Sequence, residues 1–404
     1  MRLGMLCPIC NYDKIEQLLN LNCGNLDKSF LYDPVSVVNC HKCGHVYNEL
    51  SNNDKENIIR YYEEEYSLNN ICSPNTKGDL PGSSNENSLA RYSLLFDFIK
   101  DYLNINHRIL DIGCATGGFL HYLNIRGYTK LHGIDFSRPY IEMAKQDEKL
   151  DIKEGLAENI PYNENFFDFL TADQVVEHLF DPNRIFAEAK RILKREGLFC
   201  ISVPDAMMYD DNYFFDFYWF LIREHIQHFD SIHLELLAKK HGFELIKVST
   251  TFTPMISNKT ILPNMSLLFK LTQTTPKNSY EDNNHFRLRE ETKNYIQHCY
   301  SELNQKRIII NNILKHNKPI YIFGVSREFL YLYNNTNLYK CNILELIDDT
   351  PNKQKFYTVK GRKIIGRAIL KDSTDCVLIT AFAHTAKIIE VLKSLNFKGE
   401  ILEI

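Results

Sequence analysis

From Leu89 onward the chain alternates two hydrophobic periods. Helical spacing in LARYSLLFDFIKDYL gives way to a short apolar run, RILDI, and further helices then separate KLHGID, FFDFLTA and GLFCISV. Short buried strands joined by helices require crossover connections, and right-handed crossovers lay parallel strands side by side with helices on both faces. The pattern predicts a doubly wound, Rossmann-like α/β domain over residues 89–252. After Val203 the alternation breaks into the aromatic stretch DNYFFDFYWFLIREHIQHF, read as an insertion at 205–230 over the sheet's edge. Helix and strand resume in SIHLELLAKKHGFELIKV. Residues 253–316 read as a poorly patterned connecting segment ending in a long polar helix. PIYIFG, NILELID, DCVLIT and GEILEI then predict a smaller C-terminal α/β domain at 317–404.

The first 72 residues follow another logic. Cys7 and Cys10 in CPIC, and Cys40 and Cys43 in CHKC, form two CxxC pairs with 29 residues between them. Each pair presents two thiolates from one tight turn, and two such turns supply the four tetrahedral sulfurs of a structural Zn(2+) site. A head this short buries little apolar surface, so metal binding doubles as folding energy. Two unrelated cysteine pairs, or redox thiols, are the alternative. Residues 73–88, SPNTKGDLPGSSNENS, are polar and turn-rich and read as a linker.

Composition narrows the partners. The net charge is -4, with 44% hydrophobic and 24% charged residues, an ordinary globular balance that offers no electrostatic grip on nucleic acid or an anionic membrane. The head carries six Lys and Arg against seven Asp and Glu within residues 1–60, too acidic for a ribbon that grips RNA. No apolar run approaches the roughly 18 residues of a membrane helix, no secretory leader is evident, and eleven cysteines is an odd number. These features point to a cytoplasmic protein with reduced thiols and no membrane partner.

The segment ILDIGCATGGFL runs from strand through a glycine-rich turn into helix. It lacks the GK[ST] of a nucleoside triphosphate loop, and Ala115 stands where a dinucleotide fingerprint needs its middle glycine. Asp135 ends the next strand, where a carboxylate takes the two hydroxyls of an unphosphorylated ribose. GLAENIPYNENFFDFL follows with Leu156 and Ala157 before another buried strand. Together these motifs resemble those of the class I S-adenosylmethionine-dependent methyltransferases. The resemblance implies S-adenosyl-L-methionine as cofactor. Asp111, Gly113, Ala115 and Gly117 would stand by its methionine portion, Asp135 and Phe136 by the ribose, Leu156 and Ala157 by the adenine, and Asp173 at the next strand end.

Ligands of open α/β sheets gather beyond the carboxyl ends of the strands, which brings DQVVEHLFDP and REHIQHF forward as acceptor-facing segments. An attacking hydroxyl or C–H must lose a proton, and imidazole accepts one near neutral pH. His225, kept in register by Glu224, is the candidate base and His178 its rival. The whole plan also resembles the zinc-binding sugar C-methyltransferases: a CxxC...CxxC head, a methyltransferase core, the EH segment and a C-terminal domain carrying LIDDTPNKQ. That likeness implies a small acceptor, a sugar or nucleotide-linked sugar methylated at carbon or oxygen for surface glycan synthesis. Those relatives carry Tyr-x-Glu-His, whereas here Ile222 stands at the tyrosine position. The alternatives are a zinc-ribbon RNA methyltransferase and a non-catalytic protein that binds the cofactor or a partner. Lys353, Lys355, Lys360, Arg362, Lys363, Arg367 and Lys371, without an acidic residue among them, read either as a diphosphate site or as a lysine-protected edge strand.

Overall fold

The computed structural model describes residues 6–66, 80–146, 150–210, 218–255, 260–272 and 286–404. The first part of the expected linker, 73–79, and residues 211–217 of the aromatic insertion lie outside the described residues.

Three sheets organise the chain. The central one has the order β10-β11-β8-β7-β4-β5-β6, built from β4 (Ile109–Ile112), β5 (Leu131–Asp135), β6 (Asp151–Glu154), β7 (Phe167–Asp173), β8 (Leu193–Pro204), β10 (Phe243–Met255) and β11 (Thr260–Leu271). Strands β4 to β8 are parallel, as the alternating pattern requires. Every residue of β4 is buried, which is why it reads as a continuous apolar run rather than an alternation.

Strand β11 corrects the sequence reading. It lies within the span 253–316 expected to be a connection, yet it runs antiparallel between β8 and β10, pairing Met265 with Val203 and Phe243 with Leu271. Its residues 262–269 are buried throughout, so they show no period-2 signal. The long helix Arg287–Lys315 is present as expected, and Leu288, Tyr295, Cys299, Leu303, Ile310 and Ile313 sink one stripe of it into the core.

The head holds β1 (Ile15–Leu21), β2 (Val35–Cys40) and β3 (Val46–Asn48). Its fourth strand comes from elsewhere: β9 (Gln227–His228), inside the expected aromatic insertion, pairs antiparallel with β3. One apolar cluster runs from Val35 and Val46 of the head through Phe220 and Tyr295 to Phe329 of the C-terminal domain. Another joins Cys7 and Tyr47 to Phe229 and Leu234 of the central domain. The three regions therefore share cores rather than standing as independent beads.

The C-terminal sheet has the order β14-β15-β13-β12-β16-β17, from β12 (Ile320–Phe323), β13 (Ile343–Ile347), β14 (Thr358–Val359), β15 (Arg362–Ile365), β16 (Cys376–Ile379) and β17 (Ile401–Glu403). The lysine-rich stretch forms the β14–β15 hairpin at its edge. Asp27 of the head clamps that hairpin, accepting from Thr358 Oγ1 at 2.6 Å and from the Gly361 amide at 2.8 Å.

Candidate functional site

A cleft of about 1860 Å³ opens where the three regions meet. Single small-molecule pockets measure about 300–1000 Å³, so this one has room for two ligands. Its walls come from the carboxyl ends of β4, β5 and β7, from the head, and from the ends of β12 and β13.

At one end the glycine turn reverses the chain between β4 and the helix Gly118–Asn124. Gly113, Ala115 and Gly117 have φ of 74°, 45° and 81°, which exposes the turn's backbone to the cleft. A side chain at Gly113 would meet Val175 at 2.5 Å, and one at Gly118 would meet the Gly82 carbonyl at 2.1 Å. Gly82 belongs to the expected linker; residues 80–85 instead pack on the glycine turn, where Thr116 Oγ1 donates to the Pro81 carbonyl at 3.0 Å. Asp135, 7% exposed, accepts from the Ala115 and Ser137 amides at 2.9 and 2.8 Å. Burial raises its pKa and those backbone bonds oppose the rise. Burial likewise pushes Asp111 up to about 7, against the hydroxyl of Thr171, which donates to it at 2.7 Å. Leu156 is 55% exposed and lines the cleft with Ala157 and Phe136. Asp173 lines it too, paired at 3.1 Å with Arg91, a residue the sequence did not single out. Its Oδ1 has no partner among the described residues.

The other end is assembled from distant segments. Tyr61 and Tyr62, in the head's last helical turn, were missed by the sequence reading, although YYEEEY is an evident aromatic cluster. The Tyr62 ring meets Phe136 edge to face at 5.3 Å, and its hydroxyl lies 3.2 Å from His178 Nδ1. That nitrogen donates to the Glu224 carbonyl at 2.7 Å, which leaves the Nε2 lone pair facing Glu177 Oε1 at 3.9 Å. His178 lines the cleft.

The structure sets the three expected acid–base residues at different depths. His225 is 8% exposed and stands behind His178, with ring centroids 5.1 Å apart, because the Ile222–His228 segment is drawn inward to complete the head's sheet. Asn48 of the head donates to the Ile222 and His225 carbonyls at 3.2 and 2.9 Å. Burial, with His178 and His228 close by, lowers the His225 pKa well below the ordinary imidazole range, so the ring is neutral. Burial lowers His178 as well. The Glu224 carboxylate accepts from Tyr61 at 3.3 Å, and the acid beside the histidines is Glu177. Glu177 is 1% exposed, neither of its oxygens has a hydrogen-bond partner among the described residues, and burial pushes it up to about 8.

Of the seven cations in the lysine-rich stretch, Lys353 and Arg367 reach the cleft, each held by an aspartate: Asp348 at 2.9 Å and Asp349 at 3.1 Å. The hairpin that carries Lys360, Arg362 and Lys363 matches the edge-strand reading.

The four head cysteines converge as their spacing predicts. Cys7 and Cys43 sulfurs are 3.6 Å apart and those of Cys10 and Cys40 3.5 Å. A tetrahedral zinc with bonds of about 2.3 Å sets its sulfurs about 3.8 Å apart, so the donor set fits without rearrangement. Gly44 at φ 81° lets the second turn close. His233, at the start of the helix Ser231–Lys240, donates from Nε2 to the Cys43 carbonyl at 2.7 Å and ties that turn to the central domain.

Residues 84–248 match the family model described as a methyltransferase domain. This segment is a methyltransferase domain. An uncharacterised protein of Methanocaldococcus jannaschii is 39% identical over 100 residues, covering 24% of this chain and 45% of its own length. A demethylmenaquinone methyltransferase of Oceanobacillus iheyensis is 33% identical over 119 residues, covering 27% of this chain and 50% of its own. The chain thus spans about half the length of these curated relatives. A solved structure from Thermotoga maritima, an S-adenosylmethionine-dependent methyltransferase described as a possible histamine N-methyltransferase, is 23% identical over 46% of this chain and 90% of its own, with a TM-score of 0.37. Among the described residues no helix is long and apolar enough to cross a membrane.

Proposed function

We propose that the chain is an S-adenosylmethionine-dependent methyltransferase whose small acceptor lies in the cleft between the methyltransferase domain, the head and the C-terminal domain. The observation that carries the reading is the single cleft that contains both the Asp135 glycine-turn end and the His178 end. The residues fit the cofactor: a strand-end carboxylate with acceptor capacity beyond its two backbone bonds, an exposed turn backbone, and an unpartnered Asp173 oxygen that a cationic amino group would satisfy. When bound, the cofactor supplies an activated methyl group on a sulfonium. Asp111 and Asp173 would then stand by its positive charge, Asp135 would take the ribose hydroxyls, and Leu156, Ala157 and Phe136 would cover the adenosine. His178 meets the acceptor, and the proton the acceptor sheds departs on that side of the cleft.

A sugar or nucleotide-linked sugar is the acceptor we favour. Support comes from the cleft's extent and from the two tyrosines of the head. Ile222 occupies the position where the sugar C-methyltransferases have tyrosine, but Tyr61 bonds Glu224 and Tyr62 approaches His178, so phenolic hydroxyls reach the same two residues from another segment. A hydroxylated aromatic ring is the second reading, favoured by the wall of Phe136, Tyr62, Trp219 and Leu262. Incubation with methyl-labelled cofactor and separate pools of nucleotide-sugars and phenolic acceptors, with product masses measured, distinguishes them. Label in neither pool, with cofactor bound, would favour the non-catalytic reading.

We also infer that Cys7, Cys10, Cys40 and Cys43 hold one structural Zn(2+). Because all four positions are filled by protein, the ion acts as a staple and not as a catalyst. Cys40→Ser should release one zinc per chain and lower the melting temperature; unchanged zinc content and melting would remove the assignment.

A further inference from the structure

The methyltransferase reading leaves Glu177 unexplained. A carboxyl with both oxygens buried and unpartnered carries the desolvation cost of a polar group without the bond that normally offsets it. Arg91, whose charge acts on it, is already paired with Asp173. What does face Glu177 is a pair of imidazoles. One ligand atom each from Glu177, His178 and His225 lies within 4.8 Å of the others.

We propose that Glu177, His178 and His225 bind one divalent metal ion at the wall of the cleft, separate from the ion of the cysteine site. The tautomers are already set for it. His178 Nδ1–H is committed to the Glu224 carbonyl, so its Nε2 is the lone-pair nitrogen on the Glu177 side. The His225 ring is hydrogen-bonded to the Phe220 backbone, and its buried Nδ1 has no partner among the described residues. A ligating histidine whose other nitrogen is anchored on a backbone carbonyl is the usual arrangement around bound metals, because the anchor fixes both tautomer and ring orientation. One ion would therefore satisfy two imidazole nitrogens and one carboxylate at once.

Distances and donor types narrow the ion. Metal–ligand bonds of about 2.0–2.2 Å place tetrahedral ligands about 3.3–3.6 Å apart. The Glu177–His178 pair, at 3.9 Å, is already within a few tenths of an ångström of that spacing. Imidazole with carboxylate suits zinc, manganese, iron, cobalt or nickel, whereas an oxygen-only shell would be needed for calcium or magnesium. Three protein ligands leave at least one position open, the mark of a site that takes a further ligand. His178 is the member that lines the cleft, so the open position is reached from the acceptor's side. On the methyltransferase reading, on which this use of the metal rests, the ion would anchor an acceptor oxygen and make its proton easier to lose.

Manganese gives a test that needs no acceptor and no turnover, because oxygen and nitrogen ligands hold it and a thiolate site already filled with zinc does not compete for it. Zinc-containing full-length protein is titrated with Mn2+, and free ion is counted by electron paramagnetic resonance. One Mn2+ bound per chain is expected, lost in Glu177→Gln and in His225→Asn while cofactor affinity and zinc content stay at wild-type values. Should a variant fail to fold, the wild type still decides through cobalt. Loading metal-free protein with Co2+ should give two equivalents, of which only one carries a thiolate-to-cobalt charge-transfer band. Saturation of the wild type at the thiolate equivalent alone, absence of bound Mn2+, or Mn2+ retained by both folded variants overturns the proposal. Because metal is counted directly, failure here leaves the methyltransferase reading standing, and absence of methyl transfer leaves the metal count standing.

Discussion

At the glycine-turn end of the cleft, Asp135 already accepts two backbone amides and Asp111 a hydroxyl. At the His178 end, Glu177 has two buried oxygens and His225 a bare Nδ1 with no partner among the described residues. At the first end the Asp111 and Asp135 carboxylates are preorganised by bonds of their own, with Asp173 Oδ1 left open beside them; at the second the carboxyl is held wholly unsatisfied by its surroundings. Binding groups that are satisfied before the ligand arrives lose little when it leaves, so they suit a cofactor that is exchanged every cycle. Groups that wait for a partner concentrate their interaction free energy on whatever completes them, which is the arrangement expected where chemistry occurs.

Four measurements sharpen or break this contrast. The largest effect is expected at the unsatisfied end: His178→Ala and Glu177→Gln should each lower turnover about 100- to 10,000-fold while leaving cofactor affinity near wild type. If either instead weakens cofactor binding and leaves turnover intact, the two ends have been assigned the wrong way round. At the satisfied end, Asp135→Ala should weaken cofactor binding at least about tenfold, a lost charged hydrogen bond being worth about 1.5–3 kcal/mol. Calorimetry that finds unaltered affinity in the folded variant would falsify the cofactor assignment. Asn48→Ala tests how the unsatisfied end is held in place. It should cost about 1–3 kcal/mol of stability for the stranded Ile222 and His225 carbonyls, and it should slow turnover without changing cofactor affinity. The smallest effect concerns Asp111, pushed up to about 7 by burial. Its carboxyl is neutral below that pH and anionic above it, and the cofactor is cationic at its methionine end. Cofactor binding should therefore tighten by up to about tenfold from pH 6 to pH 8, with proton release, one pKa unit corresponding to 1.36 kcal/mol. The dependence should vanish in Asp111→Asn.

The same contrast explains what could be read from residues alone. Asp111, the glycine turn and Asp135 lie within 25 consecutive residues of one βαβ unit, so local periodicity and turn chemistry located them together. The cysteine pairs were equally legible, because metal-ligand spacing is a local signal. His178 lines the cleft, where the rule that ligands gather beyond strand ends puts it. The depth of His225 was not legible, since it depends on β9 pairing with β3 across the chain. Nor was the partner of Glu224, for Tyr61 arrives from the head. Strand β11 escaped because burial on both faces erases the alternation by which a strand is recognised. Arg91 was hidden in an ordinary amphipathic helix, and only its pairing with Asp173 gives it meaning.

The pairing of Val46 with His228 also bears on the order in which a nascent chain can complete itself. The cysteine turns leave the ribosome before β9 does, and the strand that closes their sheet follows about 180 residues later. At about 5–20 residues per second that is a delay of roughly 10 to 40 s. Throughout that interval the β3 edge stands open, and an open edge is a template for pairing with another chain. The cysteine-bearing head is thus begun early but finished late, and its own last strand follows directly on the segment that carries His225.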